Sequence, residues 1–198
     1  MVWGEVMNNL TERRLVTRYR SLLLLPKGSV YFFGFECGDG WADLLEGTLR
    51  LIQRYAEEEA LDVRIVDAQE KFGQLRMYQT GGDETIELAL DITELVSGCI
   101  CEICGSPGSG WLQTRCDLHS EGNEPEAIET RVADENYIMN YAGTLGLVLW
   151  FFKADAVRWV QQQTRALGRR RPIEAMATAE GCREVYTLLK RLEYGVGV

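Results

Sequence analysis

Two short turns, Cys101-Glu-Ile-Cys104 and Cys116-Asp-Leu-His119, constrain this chain more than any other feature of its sequence. Two residues between donors let both side chains of a turn reach one ion, and two such turns supply the four ligands of a closed tetrahedral site. The second turn holds the chain's one histidine. Gly105-Ser106-Pro107-Gly108 follows the first turn and supplies the backbone freedom that a metal-bound turn needs. The spacing therefore predicts a structural Zn2+ held by Cys101, Cys104, Cys116 and His119, with Cys99 as the one alternative ligand. A catalytic zinc keeps a coordination position open for water, whereas three thiolates and an imidazole fill the site.

The rest of the sequence says where such a site can operate. No basic stretch followed by a long apolar run opens the chain, and the leucines of Leu22 to Leu25 fall far short of the roughly 20 residues a membrane span requires. A cytoplasmic protein with no membrane partner is expected, and in that reducing compartment clustered cysteines point to metal rather than to disulfides. Through Ser120 the chain carries 11 Lys and Arg against 19 Asp and Glu, and from Glu121 onward 10 against 11. Nucleic-acid binding draws its affinity from clustered cations, so the acidic first part argues against a nucleic-acid ligand. Arg169-Arg170-Arg171 is the single tight basic cluster, and it is read as a solvated loop. Self-association is left open.

Periodicity outlines an α+β protein: a small β-sheet with helices around the zinc knuckle, then a mostly helical C-terminal domain. One amphipathic helix is expected from Asn8 toward the breaker Pro26-Lys27-Gly28, and a second after Gly34-Phe35-Glu36-Cys37-Gly38-Asp39-Gly40-Trp41, with Asp39 or Gly40 as its cap. Glu36, Asp39 and Asp43 are read as carboxylates at that helix start rather than as an acid–base pair. Strands follow around Gly73, with Phe72 packed at their turn, and a third helix begins after Asp83. The polar stretch from Ser120 to Glu129 serves as a linker and divides the chain into an acidic zinc-binding module, 1–120, and a helical module, 121–198. Helices are expected from Tyr137 to Phe152 and from Ala154 to Leu167. A final one is capped by Thr178, with Cys182, Val185, Leu189 and Leu192 on one face.

Two resemblances add to this reading. Phe35-Glu36-Cys37-Gly38-Asp39-Gly40-Trp41, Lys71-Phe72-Gly73-Gln74-Leu75-Arg76 and the zinc knuckles make the region from Arg18 to Ser120 similar to a family of uncharacterised bacterial and phage proteins. That likeness carries no activity. The C-terminal part carries Ala166-Leu167-Gly168-Arg169, then Arg171-Pro172, Thr178-Ala179-Glu180-Gly181 and Leu192-Glu193-Tyr194-Gly195-Val196. It resembles the toxin-binding domain of the Xre/MbcA/ParS antitoxins, with Trp159 at the upstream tryptophan position and Arg169 where the family usually has a second glycine.

The resemblance implies an antitoxin or immunity protein, not an enzyme, with a cognate protein toxin as its partner. Its polar C-terminal end, Arg191, Glu193, Tyr194, Gly195 and Val196, would enter and occlude the active site of an NAD-using toxin, either NAD-degrading of the RES type or ADP-ribosylating. Typical members begin with a helix-turn-helix; here the acidic zinc module stands in its place, which weakens the case for DNA binding. The alternative is a phage-derived zinc-binding regulator or adaptor that acts on a host protein or on DNA. An enzyme is the weakest reading, because the single histidine belongs to the metal cluster and no nucleophile–base pair is apparent.

Overall fold

The computed structural model describes residues 6–23, 34–120 and 132–195. Pro26-Lys27-Gly28, the linker from 121 onward and Val196 lie outside the described residues. Among the described residues no helix is long and apolar enough to cross a membrane.

The N-terminal helix is interrupted. Helix α1 spans Asn9–Arg18 and a single turn, α2, spans Arg20–Leu23, with the buried Tyr19 between them. Asn8 caps α1 by accepting the Leu10 N–H at 2.8 Å, and its own N–H donates to Asp39 Oδ1 at 3.0 Å. Strand β1, Phe35–Glu36, leads through a tight turn at Asp39–Trp41 into helix α3, Ala42–Glu58. Asp39 thus sits before α3, as expected, but its carboxylate secures the start of α1 instead of capping α3.

Strands β2, Arg64–Lys71, and β3, Gln74–Thr80, form an antiparallel hairpin, and β1 adds in parallel beside β2 with Phe35 opposite Ala68. A register shift between Ile65 and Asp67 changes which positions face inward: Val63 and Ile65 are buried before it, Ala68 after it. Strict alternation read from the sequence misses this change of phase. Helix α4, Glu84–Ser97, is capped by Asp83, whose carboxylate accepts the Ile86 N–H at 3.1 Å.

The C-terminal part consists of α5, Glu135–Phe152, α6, Ala156–Val160, α7, Pro172–Ala175, and α8, Ala179–Glu193. The expected helix from Ala154 to Leu167 is shorter than its pattern suggests. The chain turns at Lys153, φ +46°, runs as α6 for five residues, and resumes as a single 3-10 turn at Arg165–Leu167. Leu188 joins Cys182, Val185 and Leu189 on the buried face of α8, while Leu192 is partly exposed.

One apolar core runs from Met7 through α3, α4 and α5 to Leu189. At its centre the hydroxyls of Thr48, Thr93 and Tyr141 form a chain, at 2.9 and 3.0 Å, that ties α3, α4 and α5 together. Each hydroxyl has a partner, so this polar line costs little and fixes the relative positions of the helices. Burial pushes the Tyr141 phenol well above its usual range, against the hydrogen bonds to Thr93 and Thr48 that lower it.

A buried carboxylate fastens α1 to this core. Glu46 on α3 is fully buried and pairs with Arg18 and, at 3.2 Å, with Arg14; Arg18 also donates to Glu135 at the start of α5, at 2.9 Å. Removing one member of a fully buried pair costs about 3–5 kcal/mol. Both arginines are partly exposed here and can rehydrate, so Glu46→Ala is expected to cost about 2 kcal/mol, measured as a lowered midpoint in urea. A change below about 0.5 kcal/mol, the range of ordinary surface substitutions, would show that α1 is held by apolar packing alone.

Candidate metal centre and toxin-binding segment

The two knuckles meet. Cys101 and Cys116 are buried, Cys104 and His119 are half-buried, and the four donor atoms all lie within 4.8 Å of one another. The Cys104 and Cys116 sulfurs are 3.6 Å apart, and His119 Nδ1 lies 3.5 Å from Cys101 Sγ and 3.3 Å from Cys116 Sγ. A regular tetrahedron built on ordinary zinc–sulfur and zinc–nitrogen bonds has edges of about 3.8 Å and about 3.5 Å. These three edges match such a tetrahedron, and the four side chains could hold a single ion. Nδ1 is the donor that faces the sulfurs, which leaves Nε2 to carry the ring proton if a metal is bound.

Cys99 does not belong to this cluster. It packs against the main core, beside Arg171 and Glu174, and burial raises its thiol. Cys37 and Cys182 are likewise buried, and burial pushes both thiols up, as expected of cysteines that act as small core residues. Cys104 behaves differently. Its burial opposes ionisation, yet hydrogen bonds from Ser106, Cys116 and Cys101 outweigh that and hold its thiol down at about 6, which favours a thiolate donor.

The first knuckle is a docking platform for the two other motifs of the N-terminal part. Glu102, a spacer inside the Cys-x-x-Cys turn, is 2 % exposed. One of its carboxylate oxygens accepts the Gly38 N–H at 3.1 Å, and the other takes Arg115 Nη1 at 3.1 Å. The Gly40 N–H donates to the Glu102 carbonyl at 2.7 Å, and Trp41 Nε1 donates to the Ile100 carbonyl at 2.8 Å. The tip of the β2–β3 hairpin joins from the other side, where Thr114 Oγ1 donates to the Gly73 carbonyl at 2.6 Å. Hence Gly38, Gly40, Trp41, Gly73 and the knuckle form one folded unit. Neither Glu102 nor Thr114 stands out in the sequence, because the chemistry of a knuckle draws attention to its ligands and treats the spacers as filler.

Gly40 is required by this contact. A Cβ at that position would stand 2.2 Å from the Cys101 carbonyl oxygen and 2.5 Å from the Glu102 carbonyl. Backbone cannot yield as a side-chain tip can, so Gly40→Ala is expected to cost about 2–3 kcal/mol by overpacking and to weaken metal retention against a chelator. Unchanged stability and unchanged retention together would mean that the knuckle and the start of α3 are not rigidly joined.

Phe72 departs from expectation. It does lie in a turn, as the first of two consecutive residues with positive φ, at +54° and +75° for Phe72 and Gly73. Its ring, however, is 64 % exposed rather than packed, and Trp111 and Leu112 on the adjoining loop are exposed as well.

The C-terminal motifs each have a mechanical role. Thr178 accepts the Gly181 N–H at 3.0 Å and so starts α8, while a Cβ on Gly181 would lie 1.9 Å from the Ala175 carbonyl oxygen at the end of α7. Thr-x-Glu-Gly is therefore a cap followed by a close helix crossing. Pro172 opens α7, and the Glu174 carboxylate accepts both the Arg171 N–H and Arg171 Nε at 2.8 Å. Trp159 stacks on Phe152 with ring centroids 4.2 Å apart. Residues 149–195 match the family model of the antitoxin Xre/MbcA/ParS C-terminal toxin-binding domain. The match starts before the motifs that carry the resemblance and takes in the end of α5, so the matched segment shares its core with α3 and α4. Neither the curated proteins nor the solved structures yield a match. A toxin-binding domain of antitoxins supports an antitoxin role for the chain, with a protein toxin as its partner.

At the end of the segment Arg191, Glu193, Tyr194 and Gly195 are all exposed, Tyr194 at 77 %. Glu193 is held by Lys190 Nζ at 2.8 Å, and Gly195 turns the chain out of the helix with φ +66°. These four sit together at the exposed tip of α8, and Val196 lies outside the described residues.

Proposed function

We propose that this protein is a cytoplasmic, non-enzymatic antitoxin whose C-terminal end occludes the active site of an NAD-using toxin, NAD-degrading of the RES type or ADP-ribosylating. The match of residues 149–195 to a toxin-binding domain carries the reading. The exposed tip of α8 supports it, since Arg191, Glu193, Tyr194 and Gly195, with Val196 next in sequence, offer one large aromatic and charged groups to a partner's cleft. Labour divides between the modules: 121–198 inhibits, and 1–120 adds stability and partner choice. The ion of the metal centre is Zn2+ in a structural role, because three thiolates and one imidazole suit that ion and satisfy its coordination.

The test is coexpression of the chain with the toxin-like reading frame encoded beside its gene. That frame alone is expected to arrest growth and deplete or consume NAD, and this chain is expected to restore both. A neighbouring frame with no toxicity, or toxicity that this chain leaves untouched, would overturn the reading.

A further inference from the structure

The arginine cluster that looks like a solvated loop in the sequence is not uniform. Arg170 Nε donates to the Leu167 carbonyl at 3.1 Å and the same side chain pairs with Glu184; Arg171 is engaged by Glu174. Both fasten the loop to α7 and α8. Arg169 does neither. Its backbone N–H donates to the Thr164 carbonyl at 3.0 Å, but its side chain has no hydrogen-bond or ion-pair partner among the described residues, and it stands at φ +65° directly after Gly168 at φ +66°. A side chain in this left-handed region is disfavoured, and a glycine, the residue the resembling family usually has here, would relieve it.

Beside it lies a groove of about 610 Å3 between the Arg165–Leu167 turn and α8, floored by Leu167 and Leu188 and lined by Arg183, Thr187 and Arg191. Arg183 and Arg191 are exposed and also without an ion-pair partner among the described residues. Eight residues apart on one helix, they stand about 12 Å apart along its axis. Glu180 is the one carboxylate lining the groove that is not already held by an arginine. From Arg165 to Glu193 the chain has seven Lys and Arg against four Asp and Glu, in a protein of net charge -9. This segment thus carries an excess of positive charge in an otherwise acidic molecule, and part of it is held there at a cost in backbone strain.

We infer that this groove, lined by Arg183 and Arg191 and bordered by the loop that carries Arg169, docks an acidic segment on the surface of the toxin beside the C-terminal plug, with which it shares Arg191, and contributes to which toxin the chain accepts. The inference rests on the antitoxin reading. A protein segment fits better than a nucleic-acid backbone because the groove has an apolar floor and is short, and because the surrounding charge is negative. Planar guanidinium groups spaced along a helix match paired carboxylates.

Binding of the chain to the product of the neighbouring toxin-like frame is measured by calorimetry at low and high salt, for wild type, for Arg169→Gly with Arg183→Ala, and for Tyr194→Ala. Arg169→Gly suits the backbone, and Arg183 is exposed, so the double variant is expected to keep its melting temperature. Its affinity is expected to fall about tenfold or more, with a shallower dependence on salt than wild type. An unchanged affinity and salt dependence would overturn the proposal. So would salt-sensitive binding of a 20-base-pair duplex, or self-association seen by light scattering, that the double variant abolishes while toxin affinity stays, since the occupant would then be a polyanion or a second copy. If the double variant binds normally while Tyr194→Ala does not, the groove proposal alone falls; if wild type does not bind the toxin at all, the antitoxin reading falls first.

Discussion

Replacing Cys104 with serine is expected to empty the metal centre and lower the melting temperature by about 10 °C or more. A serine hydroxyl is a poor donor for an ion that selects thiolates, and a site with three remaining ligands binds its metal far more weakly. The loss does not stop at the knuckle. The Glu102 carboxylate and carbonyl hold Gly38 and Gly40, the Ile100 carbonyl holds Trp41, and Thr114 holds Gly73, so the start of α3 and the hairpin tip both rest on backbone that a bound ion would keep in place. Trp41 is among the fully buried side chains of the main core. Loss of a structural metal is among the few single changes that cost about 4 kcal/mol or more, and at this chain length each kcal/mol shifts the melting temperature by about 2–4 °C. Metal analysis of the purified protein is expected to give about one zinc per chain for wild type and close to none for the variant. Equal zinc content and equal melting temperature in the two proteins would remove the assignment, and a retained zinc with a lowered melting temperature would point to a packing role for Cys104.

The contrast between what the sequence reveals and what it hides follows from how local each feature is. Ligand spacing, the Thr178 cap and the helix start after Asp83 are set by neighbours within a few residues, and all appear in the structure where the sequence places them. The motifs of the segment that matches the antitoxin domain are legible for the same reason, as a cap, a close crossing and a helix start in fixed order. The register shift at Ile65/Asp67, the interruption at Tyr19 and the short α6 depend on what packs against those residues from far along the chain, which periodicity does not record. Glu46 was hidden by its position among apolar α3 residues, since only the distant Arg14, Arg18 and Glu135 give it a purpose. Arg169, Arg170 and Arg171 are chemically alike in sequence, and the contacts that separate them emerge only from where α7 and α8 stand.

Tyr194→Ala, or removal of Gly195 and the residues after it, is expected to abolish protection against the toxin while leaving metal content, helicity and melting temperature close to wild type. Tyr194 caps the end of α8 and is 77 % exposed, so the fold gains almost nothing from its ring. An exposed aromatic of this size at a helix end is costly to leave in water and productive to bury in a partner. Its hydroxyl can find one hydrogen bond there, and losing such an anchor costs about 2 kcal/mol or more of binding, a fall of at least about thirtyfold in affinity. The truncation acts differently: it removes the segment that follows the turn at Gly195 and shortens the plug, whatever Tyr194 contributes. Growth of cells that coexpress each variant with the toxin gives the readout, with circular dichroism to show that the variants are folded. Full protection by both would mean that the tip of α8 is not the inhibitory element, and the search would move to the arginine groove and to the exposed Phe72, Trp111 and Leu112 beside the metal centre. Protection lost by truncation but kept by Tyr194→Ala would place the contact in the residues after Tyr194 rather than in its ring.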